Sequence, residues 1–214
     1  MTPVEVLQKV HIRYEKNTDY PEIGSEDHTV RLAYFDDAIT NAEIEMKNGV
    51  KPLSQITSAS FTASGTGTED LSTEVADFLD FARVADEPMY LVQDASQWQE
   101  VSPEQGRDSE VRGMEPYIFW LEGTNLKTLP AITGTVTFPY LKKITRYPLG
   151  SETTEIVYPN PYFCIEYILG MLYLDDGEIN QYNAHMNNAG EILTADRTQG
   201  IIGTQSGSTF GFGM

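Results

Sequence analysis

Apolar residues recur every three to four positions in two stretches at the start of the sequence. Residues 2–15 predict a short amphipathic helix, with Pro3 in the first turn, where the missing N–H costs least. Residues 26–47 predict a longer helix of the same kind. Ser25 is placed to cap its first turn, and Gly49 is placed to end it. A helix as short as the first is marginal alone, so we expect the two to pack together.

The helical period disappears after Lys51, and strand signals replace it. Residues 133–140 alternate between apolar and polar side chains, which is typical of a half-buried strand. Pro139 places this strand at a sheet edge or at a bulge. Residues 97–107 are polar and predict an exposed loop that contains Trp98.

Helical signals return near residue 160. Asn160 and Pro161 predict a helix start, and the following residues to 173 are almost all apolar, which requires burial on several sides. Residues 178–194 predict a final amphipathic helix. The remaining segment is rich in Gly, Ser and Thr and is expected to order only against a partner. Its isolated large apolar residues are candidate docking groups: Ile201, Ile202, Phe210 and Phe212.

These patterns predict an α+β fold: a helical bundle of about four helices from both termini, with an inserted antiparallel β-module and an extended C-terminal tail. The predicted organisation assigns residues 1–50 to the N-terminal helices of the bundle and 51–159 to the inserted module. Residues 160–196 form the C-terminal helices, and 197–214 form an extended tail that docks on a partner.

Composition excludes several classes of function. The 214 residues carry a formal net charge of −18, which argues against a DNA-grasping surface and against an anionic membrane face. The single cysteine, Cys164, cannot form an internal disulfide, and the three histidines show no metal-ligand spacing. The first twenty residues contain no signal peptide or anchor pattern, so we expect a soluble protein made in the cytosol, with no metal and no cofactor.

Candidate catalytic groups have ordinary structural explanations. Neighbouring carboxylates occur at three places, where a polar helix face or a helix turn accounts for most of them: Asp36/Asp37, Asp94/Glu100 and Asp175/Asp176/Glu178. Cys164 lies on the apolar helix with no histidine nearby in the sequence, which favours an inert core thiol. We therefore expect no enzymatic activity.

Basic residues are concentrated at one place. Residues 111–159 have a net charge of +1, whereas the rest of the chain is acidic. Lys142, Lys143 and Arg146 fall within five positions after a predicted strand. They are either a solvated strand end or a docking patch for an acidic neighbour, for which another copy of this chain is a candidate.

The order of elements resembles the head-to-tail adaptor (gatekeeper or connector) proteins of short-tailed bacteriophages. The similarity is carried by residues 78–84, by the block 117–140 with its Gly-Thr-Asn-Leu turn and Leu-Pro break, by the helix start at 160–162 and by Asp-Gly-Glu at 176–178. It covers residues 25–195 and consists of residue types and spacings.

The resemblance implies a structural protein of the virion neck, assembled in the host cytoplasm as a dodecameric ring. The ring would connect the portal to the tail nozzle, and the genome would pass through its lumen without specific binding, because an acidic lumen repels phosphates. Alternatives are another neck or tail component, a carbohydrate-binding module that uses Trp98 and Tyr90, and an acid/base hydrolase that uses the loop at 94–110.

Overall fold

The computed structural model divides the chain into two compact units. The first contains Met1–Gln55 and the chain from Ile144 onward, and the second is Ile56–Lys143. Side chains are described up to residue 196, and the residues described are 1–49, 51–83, 89–93, 96–112 and 117–207.

The elements of the first unit lie at both ends of the chain, on either side of those of the second. In chain order the elements are α1 (Pro3–Glu15), α2 (Glu26–Asn48), a short 3-10 helix (Leu53–Gln55), β1 (Ile56–Ser64), β2 (Thr68–Asp70), α3 (Leu71–Glu74), β3 (Phe78–Phe81), β4 (Tyr90–Gln93), β5 (Ser96–Glu100), α4 (Pro103–Val111), β6 (Ile118–Glu122), β7 (Asn125–Leu129), β8 (Thr133–Lys142), α5 (Pro161–Asp175) and α6 (Ile179–Gly207).

Local capping residues fix where the helices of the first unit begin. In α1 the Thr2 hydroxyl accepts a hydrogen bond from the Glu5 N–H, and the Glu5 carboxylate accepts one from the Thr2 N–H. Ser25 caps α2, and the Asn160 side chain accepts from the Tyr162 N–H at the start of α5. Each cap satisfies an N–H that the helix leaves unpaired. The predicted starts of α2 and α5 are confirmed.

Helix α5 is the core of the first unit. It packs against α1, α2 and α6, which confirms the prediction that it is buried on several sides. Its buried residues are Phe163, Cys164, Ile165, Ile168, Leu169, Gly170 and Leu172.

Residues 144–160, here called the return segment, lead the chain from the second unit back to α5. The Ile144 N–H donates to Glu43 of α2 at 2.8 Å. The Val4 N–H donates to the Glu152 carbonyl, and the Ile156 N–H donates to the Met1 carbonyl. The return segment is therefore held to both N-terminal helices.

The second unit is an eight-stranded, nearly closed, barrel-like sheet in the order β1-β8-β4-β5-β6-β7-β2, with β3 also pairing β8. Strand β8 is central: β1 pairs along one side, and β3 and β4 share the other. All pairs are antiparallel except β5 with β6, which are parallel. The parallel pair requires a crossover, and α4 provides it.

Aromatic side chains fill the inside of the sheet. Phe81 makes edge-to-face contacts with Phe119 and Phe138, at centroid distances of 5.4 and 5.2 Å. Trp120 is buried separately, because α4 covers it at Gly106. The second unit thus has a filled interior and one helix-covered patch.

The predicted fold class, a helical bundle with an inserted antiparallel β-module and an extended tail, is wrong. The fold is mixed α/β, with one nearly closed barrel-like sheet of eight strands that includes a parallel pair, accompanied by six helices in the described residues. Residues 197–207, predicted to be extended, are helical. The parallel pair escaped prediction because residues 103–111, which form the crossover helix, have no apolar stripe.

Pro139 does not lie in an edge strand, which was one of the two positions predicted for it. It lies in β8, where the pairing with β3 gives way to the pairing with β4. Its carbonyl accepts from the Ala82 N–H at 3.2 Å, on the β3 side. The proline nitrogen therefore also faces the side of β8 where β3 gives way to β4. Because β1 lies on the opposite side, the missing N–H removes no hydrogen bond between β8 and β1.

We expect Gly106→Ala to lower the free energy of unfolding by about 2 kcal/mol, because a β-carbon there would overlap the Trp120 ring. Gly190→Ala on α6 is the matched control, since a β-carbon there meets nothing within 4 Å. The control should leave stability unchanged or raise it slightly. Urea titrations measure both, followed by tryptophan fluorescence for the second unit, which contains both tryptophans, and by helical circular dichroism for the first. Equal stability of the two variants would contradict the tight α4 packing.

Candidate functional site

Helix α6 packs on α5 through a narrow stripe of small and apolar residues. A β-carbon at Gly170 would lie 3.0 Å from the Met186 sulfur, so the glycine allows the two helices to approach. Ala189 and Leu193 are buried. Most of the other side chains of α6 up to residue 196 are exposed, so much of its surface is available to a partner.

A polar network joins α6 to α5 and α1. Glu166, the one charged residue among the apolar positions of α5, accepts from Arg13 at 2.8 Å and contacts the His185 ring nitrogen at 2.8 Å. Asn188 donates to the same carboxylate at 3.3 Å, and the His185 ring stacks on Tyr173. Burial raises the pKa of Glu166, but the hydrogen bonds from His185 and Asn188, together with nearby Arg13, outweigh it and hold the pKa below its ordinary value.

Asp196 lies where α6 passes the N-terminal end of α5. Its carboxylate accepts from the Asn160 N–H at 3.0 Å and from the Asn160 side-chain amide at 3.2 Å. Helix α6 then continues over residues 197–207, here called the α6 extension, for about 16 Å at 1.5 Å per residue. Its three glycines make such a segment marginal on its own, which favours a role in which a partner covers it.

The predicted docking residues of the tail fall into two groups. Ile201 and Ile202 lie in the α6 extension, so they are carried by a helix rather than by an extended chain. Phe210 and Phe212 lie outside the described residues, as do Val84 and Asp94.

The three basic candidates do not share one environment. Lys142 ends β8 and is half-buried, while Lys143 is exposed, and both belong to the second unit. Arg146 belongs to the return segment and binds α2 of its own chain, with Asp36 at 3.0 Å and Glu43 at 2.7 Å. Arg146 therefore holds the return segment, and the contact with another copy stays a prediction, for which the two lysines are the available groups.

Four of the carboxylates considered for catalysis have structural partners. Asp36 binds Arg146, and Glu100 binds Arg83 at 2.6 Å. Asp175 and Asp176 accept hydrogen bonds from Tyr34 and Tyr14, respectively. The predicted exposed loop is wrong: its described residues form β5 and α4.

Trp98 is buried inside the barrel, with 4% of its surface exposed, and packs edge-to-face on Tyr117. The predicted exposed position of this side chain is wrong, and it cannot act as a platform for a sugar ring. Cys164 is fully buried, and burial raises the pKa of its thiol, so it is not a reactive thiolate.

A buried polar cluster between α1, α2 and the return segment was not found from the sequence. His28 has no exposed surface and lies between the Tyr20 hydroxyl at 2.8 Å and Glu152 at 3.4 Å. Arg31 donates to the His11 ring at 2.7 Å. No pattern of neighbouring residues in the sequence indicates this cluster, because His28 and Glu152 are 124 positions apart. It binds the return segment to α2, and its burial leaves no access for a substrate.

Comparison with known proteins assigns no family: no family model matches the chain, and no curated protein matches it. In the part of the chain that the structure describes, no group of three or more His, Cys, Asp or Glu side chains could hold a metal ion. The helices, as far as they are described, include none with the length and apolar character needed to cross a membrane.

We expect the Glu166 network to stabilise the first unit only above acidic pH. The folded-state pKa is lowered from an ordinary value of 4.5, so its contribution is present above that value and is lost as pH falls through the lower folded pKa. At pH 7, Glu166→Gln should cost about 2 kcal/mol, and this difference from the wild type should shrink as pH falls below the ordinary glutamate pKa and through the lower folded pKa.

Urea titrations followed by helical circular dichroism at several pH values test this expectation. Glu191→Gln, which changes an exposed carboxylate on α6, is the matched control and should behave like the wild type. If the loss of stability in Glu166→Gln does not change with pH, the variant loses packing or hydrogen-bond geometry and not the charge of the carboxylate.

Proposed function

We propose that this chain is a non-enzymatic structural protein of a bacteriophage neck, which forms a ring between the portal and the tail nozzle. The sequence resemblance to head-to-tail adaptors suggests this role. The observation that supports it most directly is the α6 extension. This segment runs past the N-terminal end of α5 and carries two isoleucines. A helix that continues past the helix on which it packs is suited to bind a second protein.

Ring formation requires two different surfaces on each subunit, because a closed ring is built from heterologous contacts. Both compact units are acidic overall, but they differ locally. The first exposes carboxylates along α2, whereas Lys142 and Lys143 place two neighbouring basic residues on the second. A contact between these lysines and the acidic helices of the next copy is the proposed electrostatic part of the interface.

The charge of the chain fits a channel for DNA. A ring of many copies, each with a net charge of −18, has a strongly negative field. Such a lumen repels the phosphates of the duplex, because binding them requires clustered Lys and Arg. DNA would therefore slide through without specific contacts.

We expect the double variant Ile201→Asp/Ile202→Asp to bind purified portal rings about a hundredfold more weakly than the wild type, because it would remove the apolar contact area that two isoleucines bury on binding. Surface plasmon resonance on immobilised portal rings measures the affinity. Thr198→Asp/Thr204→Asp is the matched control, since it adds the same charge to the same helix and removes no large apolar group.

Unchanged binding of the isoleucine variant would remove the α6 extension from the portal contact. A wild-type chain that does not bind portal rings at all would overturn the proposed function.

We expect Lys142→Glu/Lys143→Glu to weaken self-association about tenfold at low salt and less at high salt, as exposed ion pairs are screened. Lys16→Glu/Lys47→Glu gives the same net charge from other exposed positions and serves as the control. Sedimentation velocity measures the assembly state. Assembly of the Lys142/Lys143 variant that equals the control at both salt concentrations would exclude this pair from the interface.

A further inference from the structure

Strand β1 has one side without a partner strand in the described part of the sheet. It pairs β8 in unbroken register from Ile56 opposite Leu141 to Ser64 opposite Thr133. At the other end of the sheet, β2 is only three residues long and pairs β7. The two end strands meet where Glu69 accepts from the Ser64 N–H at 2.6 Å, so most of β1 faces an open seam.

The pairing fixes which backbone groups point into this seam. Pro139 lies opposite Ser58, and its carbonyl is turned to the other side of β8, where it accepts from Ala82. Ser58 and Pro139 are therefore a pair without mutual hydrogen bonds, and the backbone groups of Ser58 point away from β8. By alternation the same holds for Ser60 and Thr62.

Within β1 itself, the described residues include none of the charges, prolines or bulges that usually protect an edge strand. Its sequence, ITSASFTAS, contains no charged residue and no proline, and its register has no bulge. Ser58, Ser60 and Thr62 are exposed, and no described residue bonds their N–H and C=O groups on the open side. A long, uncharged edge of this kind is a template for an added strand.

The inner face of β1 carries small side chains next to the seam. Ala59 and Ala63 point into the barrel on either side of Phe61, and all three are buried. Two methyl groups beside the seam make a shallow apolar border. A strand that enters the seam would meet this border with every second side chain.

Residues 208–214, which follow the described part of α6, have the pattern that this seam requires. Their sequence is STFGFGM, so Phe210, Phe212 and Met214 alternate with glycines at the period of a strand. Seven extended residues span about 23 Å, which equals the length of β1 from Ile56 to Thr62. The segment, like β1, has no charge.

We propose that residues 208–214 of one copy add as a strand to the open side of β1 in a second copy, with Phe210, Phe212 and Met214 on the same face of the sheet as Ala59, Phe61 and Ala63. The assignment to a second copy rests on the proposed ring, whose subunits need two different complementary surfaces. In this proposal, Phe210 and Phe212 contact a second copy, whereas Ile201 and Ile202 contact the portal.

One substitution changes the open side of β1 and leaves its pairing with β8 intact. Ser60→Pro removes an N–H that points away from β8, so the ladder with β8 is kept, while the proline ring blocks an added strand. Ser60→Thr keeps the N–H and is the matched control. Phe210→Ser/Phe212→Ser disables the tail and leaves β1 intact.

The first measurement tests the seam itself. A synthetic peptide of residues 207–214 is added to the full chain that carries Phe210→Ser/Phe212→Ser, and amide exchange is followed by NMR. At about 1 mM peptide, exchange at Ser58, Ser60 and Thr62 should slow about tenfold. Adding Ser60→Pro should abolish peptide binding, and adding Ser60→Thr should not.

Two results of this measurement overturn the inference. One is the absence of protection at these three amides. The other is peptide binding that Ser60→Pro leaves unchanged, because the peptide would then bind elsewhere on the chain. Neither result depends on whether the chain forms rings.

The second measurement tests whether the tail acts between copies. The wild type should self-associate, whereas Ser60→Pro and Phe210→Ser/Phe212→Ser should each stay monomeric by sedimentation velocity. Mixing the two variants should give one-to-one complexes, because one supplies a working tail and the other a working seam.

The outcomes distinguish this inference from the proposed function. If the wild type and both variants assemble equally, the inference is wrong and the ring proposal stands. If the wild type stays monomeric, both alone and with portal rings, the ring proposal fails, and the assignment to a second copy fails with it.

Discussion

The burial of α5 is the constraint on which the first unit depends. A helix that is apolar on every side must be covered on every side, and its covering helices come from both ends of the chain: α1 and α2 before the sheet, and α6 after it. The first unit can therefore fold only when segments that are far apart in the sequence pack together around α5. Glu166, the polar exception, is satisfied from both directions, by Arg13 of α1 and by His185 of α6.

The helix starts could be predicted because their causes are local. Ser25, Asn160 and Pro161 act on the next few residues, whatever the rest of the chain does. Helix α4 also had a local signal, the capping box of Ser102 and Gln105 around a proline, but no apolar stripe followed it. The parallel pairing of β5 with β6 and the burial of Trp98 depend on tertiary contacts, which no local pattern reports.

The candidate surfaces show the same division. The concentration of Lys142, Lys143 and Arg146 is visible in the sequence, but the partner of Arg146 is more than a hundred positions away on α2. The α6 extension was predicted to be extended because its glycines disfavour helix. Adding residues to an existing helix costs much less than nucleating one, and the packed part of α6 up to Asp196 supplies the nucleus.

Net charge limits how copies of this chain can associate. Each copy carries −18, so copies repel one another, and contact surfaces must be basic or uncharged to lower this cost. Most described arginines already pair within their own chain, among them Arg13, Arg83 and Arg146. Strand β1 contains no charged residue, and the chain contains none after Arg197. Two neutral segments in an acidic chain are therefore the places where association costs least electrostatic free energy, and their backbone and apolar groups can supply the attraction.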